Sequence, residues 1–226
     1  MEKSIVLKDC VREFNLKNEK IIAIDHASLK IQSGKMYVIM GHSGSGKSTL
    51  IQILGLLDNL NSGEIYINEQ KVSDCSEDEK AEIRMKEIGF VFQSFYLNPK
   101  LTAIENVMLP MYINKNILKN ERRDKALMLL KKFGLENRIN HYPKELSGGE
   151  QQRIAIARAL ANDPNFILAD EPTGNLDVAN EEIVYKTLKE LSTSGKAVVV
   201  VSHNESIKKY ADKVFYMESG KLREEL

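Results

Sequence analysis

Tryptophan is absent from this chain of 226 residues, and cysteine occurs only twice, at Cys10 and Cys75. The two cysteines form no CxxC pair and have no clustered histidines near them in the sequence. Zinc sites and disulfide frameworks are recognised by such groupings of cysteine and histidine. We therefore expect two reduced thiols and neither a zinc site nor a disulfide.

An excess of charge of one sign is also missing, because 32 basic residues balance 32 acidic ones. A chain without a net positive field has no general attraction to nucleic acid or to an anionic lipid surface. Long apolar runs are missing too, since stretches such as residues 197–201 are far shorter than the roughly 20 residues that cross a bilayer. These absences argue against nucleic acid as a partner and against direct insertion into lipid.

The first residues, MEKSIVLKD, do not have the layout of a signal peptide. Lys8 and Asp9 interrupt the apolar stretch almost at once, whereas a signal peptide has a basic start followed by an apolar segment. We therefore expect a cytoplasmic protein that reaches a membrane only through another protein.

The spacing of the apolar residues predicts an α/β fold. Residues 37–40 and 165–169 are short, near-continuous apolar runs, typical of strands in a parallel sheet covered on both faces. Residues 4–7 and 21–31 alternate instead, as half-buried strands do. Between residues 99 and 161 the spacing is mostly helical, which indicates an inserted helical subdomain. The length suits one large domain.

Residues 41–49 read GHSGSGKST and contain the full pattern G-x-x-x-x-G-K-[ST], with an apolar strand before it and helical spacing after it. Glycines let the backbone turn so that its N–H groups point at phosphate oxygens. Lys47 is expected to reach the β- and γ-phosphates, and Ser48 to bind Mg²⁺. A flexible turn is the alternative, and the matching flanks argue against it. The predicted nucleotide-binding residues are Gly41, His42, Ser43, Gly44, Ser45, Gly46, Lys47, Ser48 and Thr49.

Two carboxylates, Asp170 and Glu171, directly follow the apolar run at residues 165–169. In a parallel sheet, ligands gather at the carboxyl ends of the strands, which places this pair beside the phosphate loop. Asp170 suits Mg²⁺ coordination, and Glu171 suits polarising a water molecule aimed at a γ-phosphate. A solvated loop start is the usual explanation of an isolated Asp-Glu pair, and the phosphate loop favours the functional interpretation.

The segment LSGGEQQR at residues 146–153 is followed by the helical run IAIARALA. Ser147 can cap this helix, while Gly148 and Gly149 leave its backbone amides open to an anion. A generic capped helix would explain Ser147 but not the whole octet, which resembles the signature of the ABC ATPases. The other motifs of that family follow in order and cover essentially the whole chain.

The resemblance implies roles for four further positions. Phe14 stands where the family carries the aromatic residue that stacks on adenine, and Gln93 matches the glutamine of the Q-loop. Residues 174–177 match the D-loop, and His203 matches the switch histidine. Phe14 replaces the more frequent tyrosine, so the stacking face is kept and the hydroxyl is lost. Packing is the alternative role for Phe14, and a solvated loop position is the alternative for His203.

The resemblance also implies the architecture. The expected fold is an α/β fold that has a P-loop NTPase (RecA-like) core, an N-terminal antiparallel β subdomain and an inserted α-helical subdomain. Residues 1–226 would form a single ABC ATPase domain. The core and the β subdomain would take about residues 1–92 and 162–226, and the helical subdomain about residues 93–161.

Members of the family bind ATP and Mg²⁺ between two copies arranged head to tail, and the resemblance implies the same homodimer here. The part of the ATP site contributed by the second copy would be Ser147, Gly148, Gly149 and Asp177. The implied catalytic residues are Glu171, His203, Lys47 and Gln93, and the implied magnesium ligands are Ser48, Gln93 and Asp170.

The resemblance further implies an integral membrane permease as partner, which would hold the chain at the inner face of the cell membrane. Phe95, Tyr96, Leu97 and Leu101 follow Gln93 closely, and as a group they suggest a docking patch. Each of them taken singly could equally fill the core of the helical subdomain.

The stretch GFVFQSFYLNPKLTAIENVMLPM and the segment DEPTGNLD are similar to one branch of the family, which contains lipoprotein-release, macrolide-export and cell-division ATPases. This similarity implies export or extraction of a lipoprotein, a peptide or an antibiotic-like substrate. Regulation of a cell-division or cell-wall complex without translocation is the alternative. Family members that act on DNA or ribosomes carry a long coiled coil or two joined ATPase domains, and this sequence has neither.

Overall fold

The computed structural model describes residues 3–16 and 19–225. The described strands form an antiparallel sheet of four strands and a mostly parallel sheet of six. The strands are β1 (Ser4–Leu16), β2 (Glu19–Gln32), β3 (Met36–Met40), β4 (Ser62–Ile67), β5 (Gln70–Lys71), β6 (Ile88–Phe92), β7 (Phe166–Asp170), β8 (Ala197–Ser202), β9 (Lys213–Glu218) and β10 (Lys221–Glu224). The helices are α1 (Lys47–Leu54), α2 (Glu77–Glu87), α3 (Ala103–Met108), α4 (Arg122–Lys132), α5 (Gly148–Ala159) and α6 (Val178–Thr193), with 3₁₀ helices at Leu109–Tyr112, Pro143–Glu145 and Glu205–Tyr210.

The antiparallel sheet has the strand order β2-β1-β4-β5. The alternation at residues 4–7 predicted only the start of β1, which continues to Leu16. The pairing of β1 with β2 shifts register three times between Leu7 and Glu13. Each such bulge breaks the two-residue period of the side chains, and for that reason the later part of the strand is not recognisable from alternation.

The second sheet has the order β10-β9-β3-β8-β7-β6, in which β10 is antiparallel to β9 and the other neighbours are parallel. Its central strands are buried on both faces. Tyr37 and Ile39 face a core shared with α1 and the antiparallel sheet. Met36 and Val38 face a second core shared with α5 and α6. Apolar residues on both faces explain the near-continuous runs in the sequence.

The segment predicted to be helical contains α3, α4 and α5, which enclose a third core built around Ile104, Leu130 and Ile154. The predicted α/β fold is confirmed, whereas the subdomain boundaries stay a prediction. In the described part of the chain, no helix combines the length and the apolar character that crossing a bilayer requires.

Candidate ATP site

The predicted site residues follow four neighbouring strands of the parallel sheet. Met40, which ends β3, pairs with Ser202, which ends β8, and Asp170 of β7 pairs with Phe92, which ends β6. Parallel strands place their carboxyl ends at one edge of a sheet, where ligands commonly bind. The phosphate loop, Gln93, Glu171 and His203 are therefore gathered at this edge although they are far apart in the sequence.

The phosphate loop leads directly into α1, which begins at Lys47. Gly46 has a φ of 106°, and a Cβ at this position would lie 2.2 Å from the backbone oxygen of Ala23. Only glycine fits both this conformation and this close approach. The Lys47 ammonium is buried and donates hydrogen bonds to the backbone oxygens of Gly41 (2.7 Å) and His42 (2.9 Å). The loop thus holds the lysine side chain folded back against its own backbone.

A cavity of about 840 Å³ lies over the loop, and its wall includes Phe14 as well as Glu171 and His203. Gly41, Ser45 and Asp170 do not line it, and the buried Ser45 hydroxyl has no hydrogen-bond partner in the described structure. The signature residues 147–149 and Asp177 lie outside it as well. The lining comprises Phe14, Ile21, Ile22, Ala23, His42, Ser43, Gly44, Gly46, Lys47, Ser48, Thr49, Gln93, Glu171, His203, Ser219 and Gly220.

Glu171 is held by the end of the neighbouring strand β8. Its Oε2 accepts hydrogen bonds from the Ser202 hydroxyl (3.1 Å) and the His203 backbone N–H (3.4 Å). Its Oε1 lies 2.9 Å from His203 Nδ1, which donates because an ionised carboxylate can only accept. Glu171 also adopts a left-handed φ of 45°, a conformation that costs energy in a residue other than glycine. The carboxylate is therefore fixed in the cavity.

Asp170 and Ser48 meet at the edge of the loop, where the Ser48 hydroxyl donates to Asp170 Oδ1 over 3.3 Å. Burial raises the pKa of Asp170, and the hydrogen bond from Ser48 opposes that rise. Two oxygen ligands suit Mg²⁺, which usually takes one or two protein oxygens and completes its shell with phosphates and water. The described residues contain no cluster of three or more histidine, cysteine or acidic side chains that could hold a metal ion.

Gln93 lines the cavity, and its side chain is bonded to the D-loop. Its Nε2 donates to Asn175 Oδ1 (3.3 Å), while Asn175 Nδ2 donates to the Gln93 backbone oxygen (3.0 Å). The structure thus adds Asn175, which the sequence analysis missed, as the partner of Gln93. The metal and catalytic roles of Gln93 stay predictions.

The signature residues form the N-terminus of α5. Ser147 caps this helix by accepting a hydrogen bond from the Glu150 N–H (3.3 Å), and its own N–H donates to Glu150 Oε2 (2.8 Å). The hydrogen bond from Arg138, together with those from Ser147, lowers the pKa of Glu150 to about 2. A Cβ on Gly149 would lie 2.0 Å from Asn180 Oδ1. Glycine at this position therefore lets α5 pack against the start of α6.

Asp177 caps α6 in the same way. Its carboxylate accepts hydrogen bonds from the Asn180 N–H (2.9 Å) and from Asn180 Nδ2 (2.9 Å). The bond from the Asn180 backbone is the main cause of the lowered pKa of Asp177. Because Asn180 also lies against Gly149, Asp177 and the signature are packed close together, and neither lines the cavity of the same chain.

Arg158 of α5 holds the turn that follows Gln93, and the sequence analysis did not identify it. Its guanidinium donates to the backbone oxygens of Phe95 (2.6 Å) and Tyr96. Both of these residues have left-handed φ values, 56° and 48°. Burial lowers the pKa of Arg158. In the sequence this arginine is indistinguishable from any polar residue of an amphipathic helix.

Comparisons with known proteins agree with this geometry. The family model described as ABC transporter matches residues 24–174. The dimeric post-hydrolysis structure of the ATP-binding cassette MJ0796 of Methanocaldococcus jannaschii, bound to ADP and Pi, is 45% identical, with a TM-score of 0.90 and coverage of 98% of this chain and 97% of that one. The lipoprotein-releasing system ATP-binding protein LolD of Francisella tularensis is 41% identical over 95% of this chain and 94% of its own. The macrolide export ATP-binding/permease protein MacB of Chlorobium phaeobacteroides is 46% identical over 97% of this chain and 33% of its own.

Proposed function

The chain belongs to the ABC transporter family of ATP-binding proteins, and we propose that it works as a head-to-tail homodimer that drives a separate membrane permease. As a member of the family it is an ATPase that binds ATP with Mg²⁺. One observation carries the proposal. The phosphate loop, Gln93, Glu171 and His203 share one cavity, while the signature of the same chain lies outside it. A second copy would supply the missing signature.

Glu171 is the proposed general base for hydrolysis. The bonds from Ser202 and His203 fix its carboxylate in the cavity, and its remaining lone pairs can take a proton from an attacking water molecule. His203 Nδ1 is engaged with Glu171, so Nε2 is the ring nitrogen left to contact the γ-phosphate. Lys47 would exchange its two loop carbonyls for phosphate oxygens. Mg²⁺ held by Ser48 and Asp170 would neutralise phosphate charge, which is the main electrostatic requirement of phosphoryl transfer.

The N-terminus of α5 is the proposed contribution of the second copy. Ser147 is exposed, and a Cβ on Gly148 would meet no atom closer than 3.4 Å. An open helix N-terminus of this kind attracts anions, because its first N–H groups lack partners and the helix dipole is positive there. In a head-to-tail pair these amides would face the γ-phosphate bound by the other copy. The dimeric ADP-bound relative supports this arrangement.

The proposed docking surface for the permease is an apolar groove of about 530 Å³ between α2, β6 and the 3₁₀ helix Leu109–Tyr112. Tyr96 and Ile113 line it and are 66% and 67% exposed. The Tyr96 ring stands edge-on against Phe92, with centroids 5.2 Å apart. Exposed apolar patches of this kind mark protein interfaces. A permease bound here would hold the chain peripherally at the inner face of the membrane.

The double variant Tyr96→Ala/Ile113→Ala is expected to lose membrane association while keeping basal ATPase activity within about twofold. Aromatic and aliphatic anchors of an interface commonly lose about thirtyfold or more in affinity on truncation. The measurements are cosedimentation of the tagged chain with membranes of its own host and photo-crosslinking to an integral membrane protein from position 57, which lines the same groove and is unchanged in the variant. Met128→Ala, which removes an equally exposed side chain on α4, is the matched control. Undiminished crosslinking and cosedimentation of the double variant would remove this groove as the docking site.

The proposed cargo is a lipoprotein, a peptide or an antibiotic-like compound, moved by export or extraction. The support comes from the relatives, one of which is a lipoprotein-releasing ATPase subunit and another a macrolide exporter. Cells without this chain would then retain lipoproteins in the membrane or become more sensitive to a macrolide. If neither change occurs, lipoproteins and macrolides are excluded as the cargo.

A further inference from the structure

The Phe14 ring is covered on the side that does not form the ATP cavity. Phe14, Ile21 and Ala23 belong to the wall of this cavity. The guanidinium carbon of Arg12 lies 4.5 Å from the centroid of the Phe14 ring. Arg12 does not line the cavity, so it stacks on the ring from behind. The ring is left with one face for a nucleotide base.

Arg12 is fixed in its stacked position by the loop that follows α1. Its Nε donates to Asp58 Oδ2 over 2.8 Å, and its Nη2 lies 2.8 Å from Asp58 Oδ1. Its Nη1 also donates to Asn61 Oδ1 over 3.2 Å. A two-point contact between guanidinium and carboxylate fixes the plane of the guanidinium as well as its distance. Asp58 and Asn61 therefore fix the plane of the Arg12 guanidinium beneath the Phe14 ring.

The same loop is bonded to the β1 backbone on both sides of Arg12. The Asn61 N–H donates to the Val11 backbone oxygen (2.9 Å), and Asn61 Oδ1 accepts from the Glu13 N–H (2.9 Å). The loop continues from α1, whose first residue is Lys47 of the phosphate loop. One helix and its following loop thus connect the phosphate end of the cavity with the support of the aromatic ring.

We propose that Arg12 is a positioning residue for the base end of the ATP site, where it holds Phe14 as the stacking platform for adenine. The inference rests on the proposed role of Phe14. Phenylalanine has no hydroxyl to anchor its tip, so the orientation of its ring depends on what packs against its faces. A cation beneath one face is attracted by the π electrons. It also draws them away from the other face, which favours stacking of a second aromatic system there.

Titration calorimetry with ADP and with pyrophosphate tests the proposal on the isolated full chain. Arg12→Ala is expected to raise the Kd for ADP by about fivefold, the typical size of a cation–π contact, and to leave the Kd for pyrophosphate within about twofold. The KM for ATP rises correspondingly and kcat stays nearly constant. Asp58→Asn weakens ADP binding in the same direction and less strongly. Arg12→Lys keeps the charge and loses the two-point contact, and it restores binding only in part.

The decisive comparison is a double-mutant cycle with Phe14→Ala. If Arg12 acts through the ring, Arg12→Ala adds almost no further loss of ADP affinity once Phe14 is alanine. Arg122→Ala is the matched control, because Arg122 stacks on Tyr112 at 4.9 Å outside the ATP cavity. Equal losses for ADP and pyrophosphate, additive losses in the cycle or unchanged ADP binding by Arg12→Ala would each overturn the proposal. Failure of the proposed dimer or permease coupling would leave these ratios unchanged, because each titration reports binding by one chain.

Discussion

Glu171→Gln is expected to lower ATP turnover by about 10²- to 10⁴-fold, the usual effect of removing a general base, and to leave ATP binding intact. The amide has nearly the same shape as the carboxylate and can still accept a hydrogen bond from Ser202. It cannot accept a proton from water at neutral pH. Hydrolysis therefore stops at the step after binding, and the protein should accumulate as an ATP-bound dimer.

The variant is measured by steady-state ATPase activity and by size-exclusion chromatography with and without ATP. Glu190→Gln is the matched control, because Glu190 is an exposed carboxylate on α6 whose side chain makes no ion pair with the described residues. It should leave both turnover and elution unchanged. Near-normal turnover by purified Glu171→Gln protein would exclude Glu171 as the base.

The sequence could predict that these site residues lie together at one edge of the parallel sheet, because this placement follows from the direction of the strands alone. The phosphate loop, Gln93, Glu171 and His203 each come directly after an apolar strand, and parallel strands end at the same edge of a sheet. The apolar pattern and the parallel direction of the strands therefore placed Glu171 near the phosphate loop without any knowledge of side-chain contacts. They did not predict that Ser202 and His203 would hold the carboxylate from the next strand.

Contacts between residues distant in sequence were beyond prediction because they leave no local pattern. Arg158 bonds to a turn more than 60 residues earlier in the chain, and Arg12 pairs with Asp58, 46 residues later. An arginine in a helix or strand has the same local sequence signal whether it faces solvent or a backbone carbonyl. Only the packed chain distinguishes the two.

The four apolar residues that follow Gln93 show the same limit of prediction from sequence. The sequence left open whether its four members form a docking patch or fill the helical subdomain. The structure separates them, since Leu97 packs against the third core while Tyr96 projects into the groove. The left-handed conformations of Phe95 and Tyr96, supported by Arg158, are what turn adjacent side chains in different directions.

Ser147→Arg is expected to abolish ATP turnover while ATP binding by the single chain stays near the wild-type level. Ser147 is exposed at the open N-terminus of α5 and does not line the cavity of its own chain. A long cationic side chain there would occupy the space that the second copy's γ-phosphate needs. The loss therefore arises at dimer closure and not at nucleotide binding.

The variant Ser147→Ala distinguishes steric blocking of dimer closure by the arginine from loss of the helix cap. It removes the bond from the Glu150 N–H to the Ser147 hydroxyl and adds no bulk, and the loss of such a cap costs about 1 kcal/mol. A lowered melting temperature with substantial remaining turnover is expected for alanine. If alanine and arginine abolish turnover equally, then the serine hydroxyl itself is required and blocking by the arginine is not needed to explain the loss.

A mixture of Ser147→Arg and Lys47→Ala chains should recover activity that neither variant has alone. In such a heterodimer one site combines the intact phosphate loop of the Ser147→Arg chain with the intact signature of the Lys47→Ala chain. Random pairing makes half of the dimers mixed, each with one complete site of two, so about a quarter of wild-type activity is expected if the sites act independently. Tandem affinity purification on two different tags isolates the mixed dimers, for which the expected activity is about half. Mixed dimers of wild-type and Lys47→Ala chains also keep one complete site and are the control. If these are active while the Ser147→Arg/Lys47→Ala dimers are inactive, sites shared between copies are contradicted.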